Sequence, residues 1–283
     1  MSSVMATNNV IKSPRGAAAE YAKHSFSAYK RCTNGCAYCY LNRGVLSKEL
    51  GTGTPELRSC FKSDDDVMKK FVKELIAHRD ELIADGGIFF SFITDPCLPE
   101  TISLTRRCAI MAMEQDVPVT ILTKMAQWSY GISSLDMIDV GKERGLLCVG
   151  FTLTGHDEME PKADSNAARI SAMKLLHDQG IKTFASIEPV IDFDSSLSMI
   201  EQTIDFCDLY RIGLRSGVKA DYYDGDKLAF FIGQVEGLMQ LKHAKAKVYW
   251  KESVRERVVF ADPDYWTSRN NVNADYNIFK ESI

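Results

Sequence analysis

Apolar runs and amphipathic stretches alternate along this chain at intervals of about 30 residues, the spacing of a strand–helix unit. Val67, Phe71, Leu75 and Leu82 recur at helical spacing behind Ser63 or Asp64, either of which can cap a helix running to about Ala84. Gly86 and Gly87 end it, and Ile88 to Ile93 is a continuous apolar run, as a strand buried on both faces requires. The alternation then repeats. Strands are predicted at Pro118 to Thr123, Leu146 to Leu153, Ile181 to Ile187, Leu209 to Leu214 and Lys247 to Trp250. Helices are predicted over 101–115, 133–144, 165–179, 196–206 and 225–243. A first strand over 24–32 precedes the series, and the Gly- and Thr-rich stretch 42–60 reads as a loop insertion, a lid in function. Six or more such units make a parallel sheet with helices outside it. Periodicity alone does not separate an open sheet from a barrel.

Composition changes this picture little. The 283 residues are 45% hydrophobic and 25% charged, enough for a full α/β core. No apolar run approaches the ~18 residues of a membrane span. Residues 1–20 carry no signal-type apolar segment and read as a polar arm, so eight cysteines point to a reducing, cytoplasmic setting. A net charge of −4 offers no support for a large polyanionic partner. Lys242, Lys245, Lys247, Lys251, Arg255 and Arg257 crowd around Trp250, as either a solvated helix face or a binding patch. Lys251 and Glu252 could line the mouth of a site, with Trp250 stacking a planar group, or bridge two parts of the fold.

The candidate chemistry is concentrated in Cys32-Thr-Asn-Gly-Cys36-Ala-Tyr38-Cys39, followed by Tyr40. Thiolates suit iron–sulfur clusters or zinc, and both usually take four protein ligands. Here the local set stops at three. A zinc knuckle would need His24 or Cys60 as its fourth ligand. A three-cysteine cluster instead leaves one iron open to a substrate or cofactor. Cys60, Cys97, Cys108, Cys148 and Cys207 are scattered, so a second cluster is not expected.

This spacing, with an aromatic residue before the last cysteine, resembles the signature of the radical S-adenosylmethionine superfamily. The resemblance implies a partial (β/α)6 barrel with a C-terminal extension. It also implies a [4Fe–4S] cluster on Cys32, Cys36 and Cys39, whose open iron binds S-adenosylmethionine. Reductive cleavage of that cofactor gives a 5′-deoxyadenosyl radical that removes hydrogen from a substrate. The barrel is expected over 24–215, after an arm at 1–23 and before a final helix, strand and extension at 216–283 of the same domain.

Polar residues end strand after strand: Asp95 and Cys97, Lys124, Thr152 and Thr154, Ser186 and Glu188, Arg211 and Arg215. Tyr38-Cys39-Tyr40, Thr94-Asp95-Pro96 with Leu104-Thr105-Arg106, Thr123-Lys124, Glu160-Pro161 and the stretch 185–191 are similar to the spore-photoproduct-lyase-like branch. Carried over by position, Tyr38 would lie beside the adenine and Lys124 would meet the methionine carboxylate. Thr152 would bond the ribose or amino-acid portion, Thr94 or Asp95 the methionine ammonium, and Ser186 would complete the cofactor contacts. Tyr40 matches a radical-relay tyrosine or packs under the cluster. The lyase's hydrogen-donating cysteine has no counterpart at Phe92 or Ile93, but Cys97 lies just beyond and could donate or simply pack. That departure argues against repair of thymine photoproducts as such. The resemblance further implies an electron donor such as flavodoxin or ferredoxin. The implied substrate is a nucleotide, nucleic acid or modified base, with a peptide or small metabolite as the alternative. A non-catalytic metal-binding module is the reading from another class.

Overall fold

The computed structural model describes residues 9–131, 135–219, 221–260, 262 and 264–280. Its main sheet begins with β1 (Ile11–Lys12), which pairs antiparallel with β2 (Ser25–Phe26). A second, two-stranded sheet joins β3 (Tyr29–Lys30) to β4 (Glu56–Leu57). From β2 onward the main sheet runs parallel through β5 (Ile88–Phe90), β6 (Val119–Thr123), β7 (Leu147–Thr152), β8 (Lys182–Val190), β9 (Leu209–Leu214) and β10 (Lys247–Trp250). Between them lie α1 (Ser47–Leu50), α2 (Asp64–Ala77), α3 (Arg79–Ala84), α4 (Ile102–Glu114), α5 (Leu135–Arg144), α6 (Asn166–Asp178), α7 (Phe193–Thr203) and α8 (Gly225–Leu241). A short α9 (Glu252–Arg255) follows β10.

Local chemistry starts the longer helices. Ser63, Ser165, Asp192 and Asp224 cap α2, α6, α7 and α8, each side chain accepting from a backbone N–H of the first turn. Aspartates at 64, 65 and 66 add negative charge where the α2 dipole is positive. Four boundaries differ from the sequence reading. The helix expected to reach Ala84 breaks at His78, whose ψ of 16° leaves the helical region. The first strand splits, because β3 turns away to pair with β4 inside the presumed loop 42–60. Strand β8 continues through Pro189, which lacks a ladder donor, at a register shift between Ile187 and Val190. Helix α7 starts three residues early because Asp192 caps it. The expected start of α5 at 133 lies outside the described residues.

The sheet is strongly curved. Strands β5 and β8 stand three places apart, roughly 14 Å in a flat sheet, yet the rings of Phe89 and Phe184 are 6.5 Å apart. Side chains alternate accordingly. Ile121, Val149, Phe151, Ala185, Ile187, Ile212 and Trp250 join the core beneath the helices, while Phe89, Cys148, Phe184, Leu209 and Tyr249 form a separate cluster in the lumen. Gly150 makes this possible, since a Cβ there would lie 2.1 Å from the Phe184 ring. The C-terminal segment adds Ile278 to the same cluster.

The sheet does not close, because its end strands β1 and β10 are not neighbours. The segment between β1 and β2 reaches the last strands instead. The Glu20 carboxylate accepts from Tyr249 Oη and from the Glu252 backbone N–H, both at 2.8 Å, and Arg211 donates to the Glu20 carbonyl at 2.6 Å. The arm expected to be merely polar therefore ties the two ends of the sheet together. Gly150→Ala should destabilise the fold by about 1–3 kcal/mol through overpacking against Phe184, read as a lower chemical-denaturation midpoint with an unchanged slope.

Candidate active site

The three-cysteine loop leaves the top of β2 and β3 and is held on several sides. Cys32 forms a bridge with Thr52, and Gly53 N donates to Cys32 O at 3.1 Å. Gly35 supplies the left-handed turn between the first two cysteines, at φ 65°. Ala37 N donates to Met159 O at 2.8 Å and Lys162 N to Asn34 O at 3.3 Å, pinning the loop to the segment after β7.

Two carboxylates extend this anchoring. Asp95 accepts from Cys97 N at 3.0 Å and Thr123 Oγ1 at 2.6 Å on one oxygen, and from Asn34 Nδ2 at 2.9 Å and Lys124 N at 2.8 Å on the other. Its acceptor sites are filled by the protein, so Asp95 joins the cysteine loop to β5 and β6. Glu160 is fully buried, accepts from Tyr38 Oη, and pairs with the equally buried Arg169 at 2.5 Å. Arg169 also donates to Thr152 O at 2.7 Å and Asp164 O at 2.8 Å. Tyr38, between the second and third cysteines, is thereby fixed to the end of β7.

Lys124 stands beside this loop. Its ammonium lies 5.7 Å from the Tyr38 ring centroid and 3.3 Å from Thr152 Oγ1. Burial would lower its pKa, but Cys36 and Glu160 outweigh that and hold it above the ordinary value. Thr94 is 3% exposed, and its hydroxyl has no hydrogen-bond partner among the described residues. Ser186 Oγ sits 2.7 Å from Tyr21 Oη. Tyr40 is 53% exposed and donates to Phe92 O at 2.7 Å, at the rim of the lumen.

The structure places other expected residues away from the site. Cys97 is 3% exposed and belongs to the core under the helices, where burial pushes its thiol well up. It packs and does not face the lumen. Trp250 is completely buried and points outward, edge-on to Phe231 and Trp266, with Nε1 donating to Asn271 at 3.0 Å. It stacks no ligand, because strand alternation turns it away from Lys251. The basic stretch is no single surface either. Lys251 is 2% exposed, and Arg255 lies 5.3 Å over Tyr249 and 5.6 Å over Trp266. The partner of Lys251 is Glu188, at 2.8 Å to both oxygens, rather than Glu252. Gly213 makes room, since a Cβ there would approach Lys251 and Glu188 to about 3 Å.

Sequence reading missed Glu20, Tyr21, Asn34 and Arg169. Tyr21 donates to Glu188 at 2.6 Å across a separation of 167 residues, so no local signal announces it. Arg169 does carry one: a charge at an apolar position of α6 needs a buried partner.

The donor set fits an iron–sulfur cluster better than zinc. All three cysteines are free thiols, and a closed zinc site would need a fourth protein ligand beside them. His24 bonds Asp85 at 2.9 Å and Cys60 packs at the edge of the core, so neither completes a zinc site with the loop. Burial raises Cys36 and, with Asp95, lifts Cys32 to about 11. Thiolates there call for a bound cation, which the iron of a cluster supplies.

Fold and site together define a partial parallel barrel carrying a three-thiolate cluster loop at its strand ends. The chain belongs to the radical SAM superfamily, whose family model matches residues 26–207. It is 27% identical over 197 residues to an uncharacterized protein of Methanocaldococcus jannaschii, covering 67% of this chain and 69% of that one. It is also 27% identical over 162 residues to the radical SAM Nalpha-GlyT isomerase of Pseudomonas phage M6, covering 56% of this chain but 31% of the isomerase. Among solved structures, spore photoproduct lyase complexed with dinucleoside spore photoproduct superposes with a TM-score of 0.62 at 12% identity, covering 85% of this chain and 79% of the lyase. Streptococcus suis SuiB bound to S-adenosylmethionine gives 0.58 at 13% identity over 86% of this chain and 54% of SuiB. These likenesses establish the fold. The protein is a radical SAM enzyme, with a [4Fe–4S] cluster and S-adenosylmethionine as its cofactors. Held by this site, they would supply reductive carbon–sulfur cleavage and the abstraction of hydrogen from substrate. Among the described residues, no helix is long and apolar enough to cross a membrane.

Two predictions follow from the geometry. Glu160→Gln leaves the Arg169 guanidinium buried without its counter-ion and should cost about 3–5 kcal/mol in unfolding free energy. At the loops after β7 and β8, His156 lies 2.7 Å from Glu158 and 2.5 Å from Asp192. Burial acts to lower the His156 pKa, yet these carboxylates hold it above its ordinary value. Its contribution to stability is therefore full below about pH 6.5, the unfolded value, and is lost as pH rises through the folded one. The melting-temperature gap between wild type and His156→Gln should be larger at pH 6 than at pH 8.5.

Proposed function

We propose that this radical SAM enzyme acts on a nucleoside- or nucleotide-containing molecule, taking one hydrogen atom from it inside the barrel mouth. The observation that carries this reading is the superposition of most of the chain on spore photoproduct lyase complexed with a dinucleoside spore photoproduct. The phage isomerase, a sequence relative, supports the radical SAM part of the reading. A net charge of −4 favours a nucleotide or short single-stranded segment over a long duplex.

In this reading Cys32, Cys36 and Cys39 hold the cluster. Lys124 pairs with the methionine carboxylate of S-adenosylmethionine, whose ammonium bonds the free hydroxyl of Thr94. Thr152 and Ser186 meet the ribose or amino-acid portion, and Tyr38 lies along the adenine. Asp95 positions these groups by holding the cysteine loop to β5 and β6. Tyr40, at the rim, faces the substrate. A small iron–sulfur or flavin protein such as ferredoxin or flavodoxin serves as electron donor. The arm, barrel and C-terminal extension act as one domain in the cytoplasm.

Anaerobically reconstituted protein, reduced with dithionite, should convert S-adenosylmethionine to 5′-deoxyadenosine. Cys36→Ala should reduce this at least 100-fold and lose the cluster's visible absorption. With deuterated nucleotides, deuterium should appear in 5′-deoxyadenosine by mass spectrometry. Transfer only from deuterated peptides or amino acids would replace the nucleotide reading.

A further inference from the structure

The lumen carries one polar layer above an apolar one. Strand register aligns Thr152 with Ser186, Ser186 with Arg211, and Arg211 with Tyr249. Lys124 joins the same layer through its contact with Thr152. Beneath it lie Phe184 and Leu209. The layer thus holds two cations, Lys124 and Arg211, separated by two hydroxyls, with Tyr249 beyond Arg211.

The two cations differ in their surroundings. Lys124 stands next to the cysteine loop, where the cofactor is read to bind. Arg211 stands across the lumen, with its guanidinium 5.0 Å from the Tyr21 ring centroid and 5.8 Å from that of Tyr249. Nη1 donates to the Glu20 carbonyl at 2.6 Å. Among the described residues no carboxylate forms a salt bridge with it. Glu188 is held by Lys251 and Tyr21, and Glu20 accepts from Tyr249 and Glu252. Each nearby acid is already occupied, whereas most of the five guanidinium N–H donors are not. The side chain is partly exposed, so a ligand in the lumen can reach it. A half-buried guanidinium with no salt-bridge partner among the described residues, reached by Glu188 only at longer range and flanked by two aromatic rings, suits a planar oxyanion or a phosphate.

We propose that Arg211 anchors an oxyanion of the substrate, a phosphate or a carboxylate, on the side of the lumen opposite Lys124. The inference rests on the preceding reading, which puts the cofactor at Lys124 and the substrate across from it. Arg211 sets how the substrate is held, while Tyr21 and Tyr249 keep the guanidinium fork in plane. In a nucleotide substrate the group it receives is the phosphate.

The test is equilibrium dialysis of the cluster-loaded protein with S-adenosylmethionine, under anaerobic conditions. The probes are a 2′-deoxynucleoside, its 5′-monophosphate and N-acetylglycine. The monophosphate should bind at least about tenfold more tightly than the nucleoside, as one charged hydrogen-bonding contact provides. Arg211→Gln should abolish that difference and leave nucleoside affinity in place. Arg211→Lys, which keeps the charge but not the fork, should retain part of the preference and carries the test if the glutamine variant does not fold. Equal binding of nucleoside and monophosphate to the wild type would overturn the anchor while keeping the nucleotide reading. Arg211-dependent binding of N-acetylglycine without nucleotide binding would keep the anchor and overturn the nucleotide reading. A loss of S-adenosylmethionine binding in Arg211→Gln would assign the residue to the cofactor and end the proposal.

Discussion

Two carboxylates hold the cysteine loop to the barrel, and the site depends on both. Asp95 gathers Asn34, Cys97, Thr123 and Lys124 around one group, so the loop after β2, the loop after β5 and the end of β6 share a single fixed point. Glu160 does the same on the other side, with Tyr38 and Arg169. An ion pair this deeply buried is a costly way to gain stability, since desolvation offsets much of the attraction. Its benefit here is placement: it sets the cluster loop against Thr152, whose carbonyl Arg169 also binds. A loop of small and polar residues has little packing of its own to fix three thiols.

Strand alternation supplies the second constraint. Because inward and outward residues alternate, one register assigns Lys124, Thr152, Ser186, Arg211 and Lys251 to the lumen and Ile187, Ile212 and Trp250 to the helices. The lumen is then apolar at its lower level and polar at the upper one, on the side of the cysteine loop. The open edge between β1 and β10 is spanned by Glu20 and Tyr21, whose contacts with β8, β9 and β10 do the work a closing strand would otherwise do.

The cysteine spacing, the strand–helix alternation and most helix starts are legible in the linear chain because each is a local property. Thiol spacing selects a ligand type, apolar periodicity selects an element, and Ser or Asp at a boundary selects a cap. Where reading by sequence fails, the missing term is a distant partner. Strand β4 looks like loop because its two residues become a strand only by pairing with Tyr29 and Lys30. Cys97 reads as a hydrogen donor by proximity in the chain, yet the turn after β5 sends it into the core. Lys251 reads as the neighbour of Glu252, while its charge is met by Glu188, 63 residues away.

By itself, then, the sequence determined the three-cysteine motif, the class of fold and the family chemistry, since these depend on residue type and short-range order. Tertiary structure alone decided which polar side chains share the lumen, that the arm before β2 bridges the open sheet, and that Arg211 makes no salt bridge among the described residues. Those outcomes depend on sheet curvature and on contacts between residues far apart in the chain, and no local pattern encodes them.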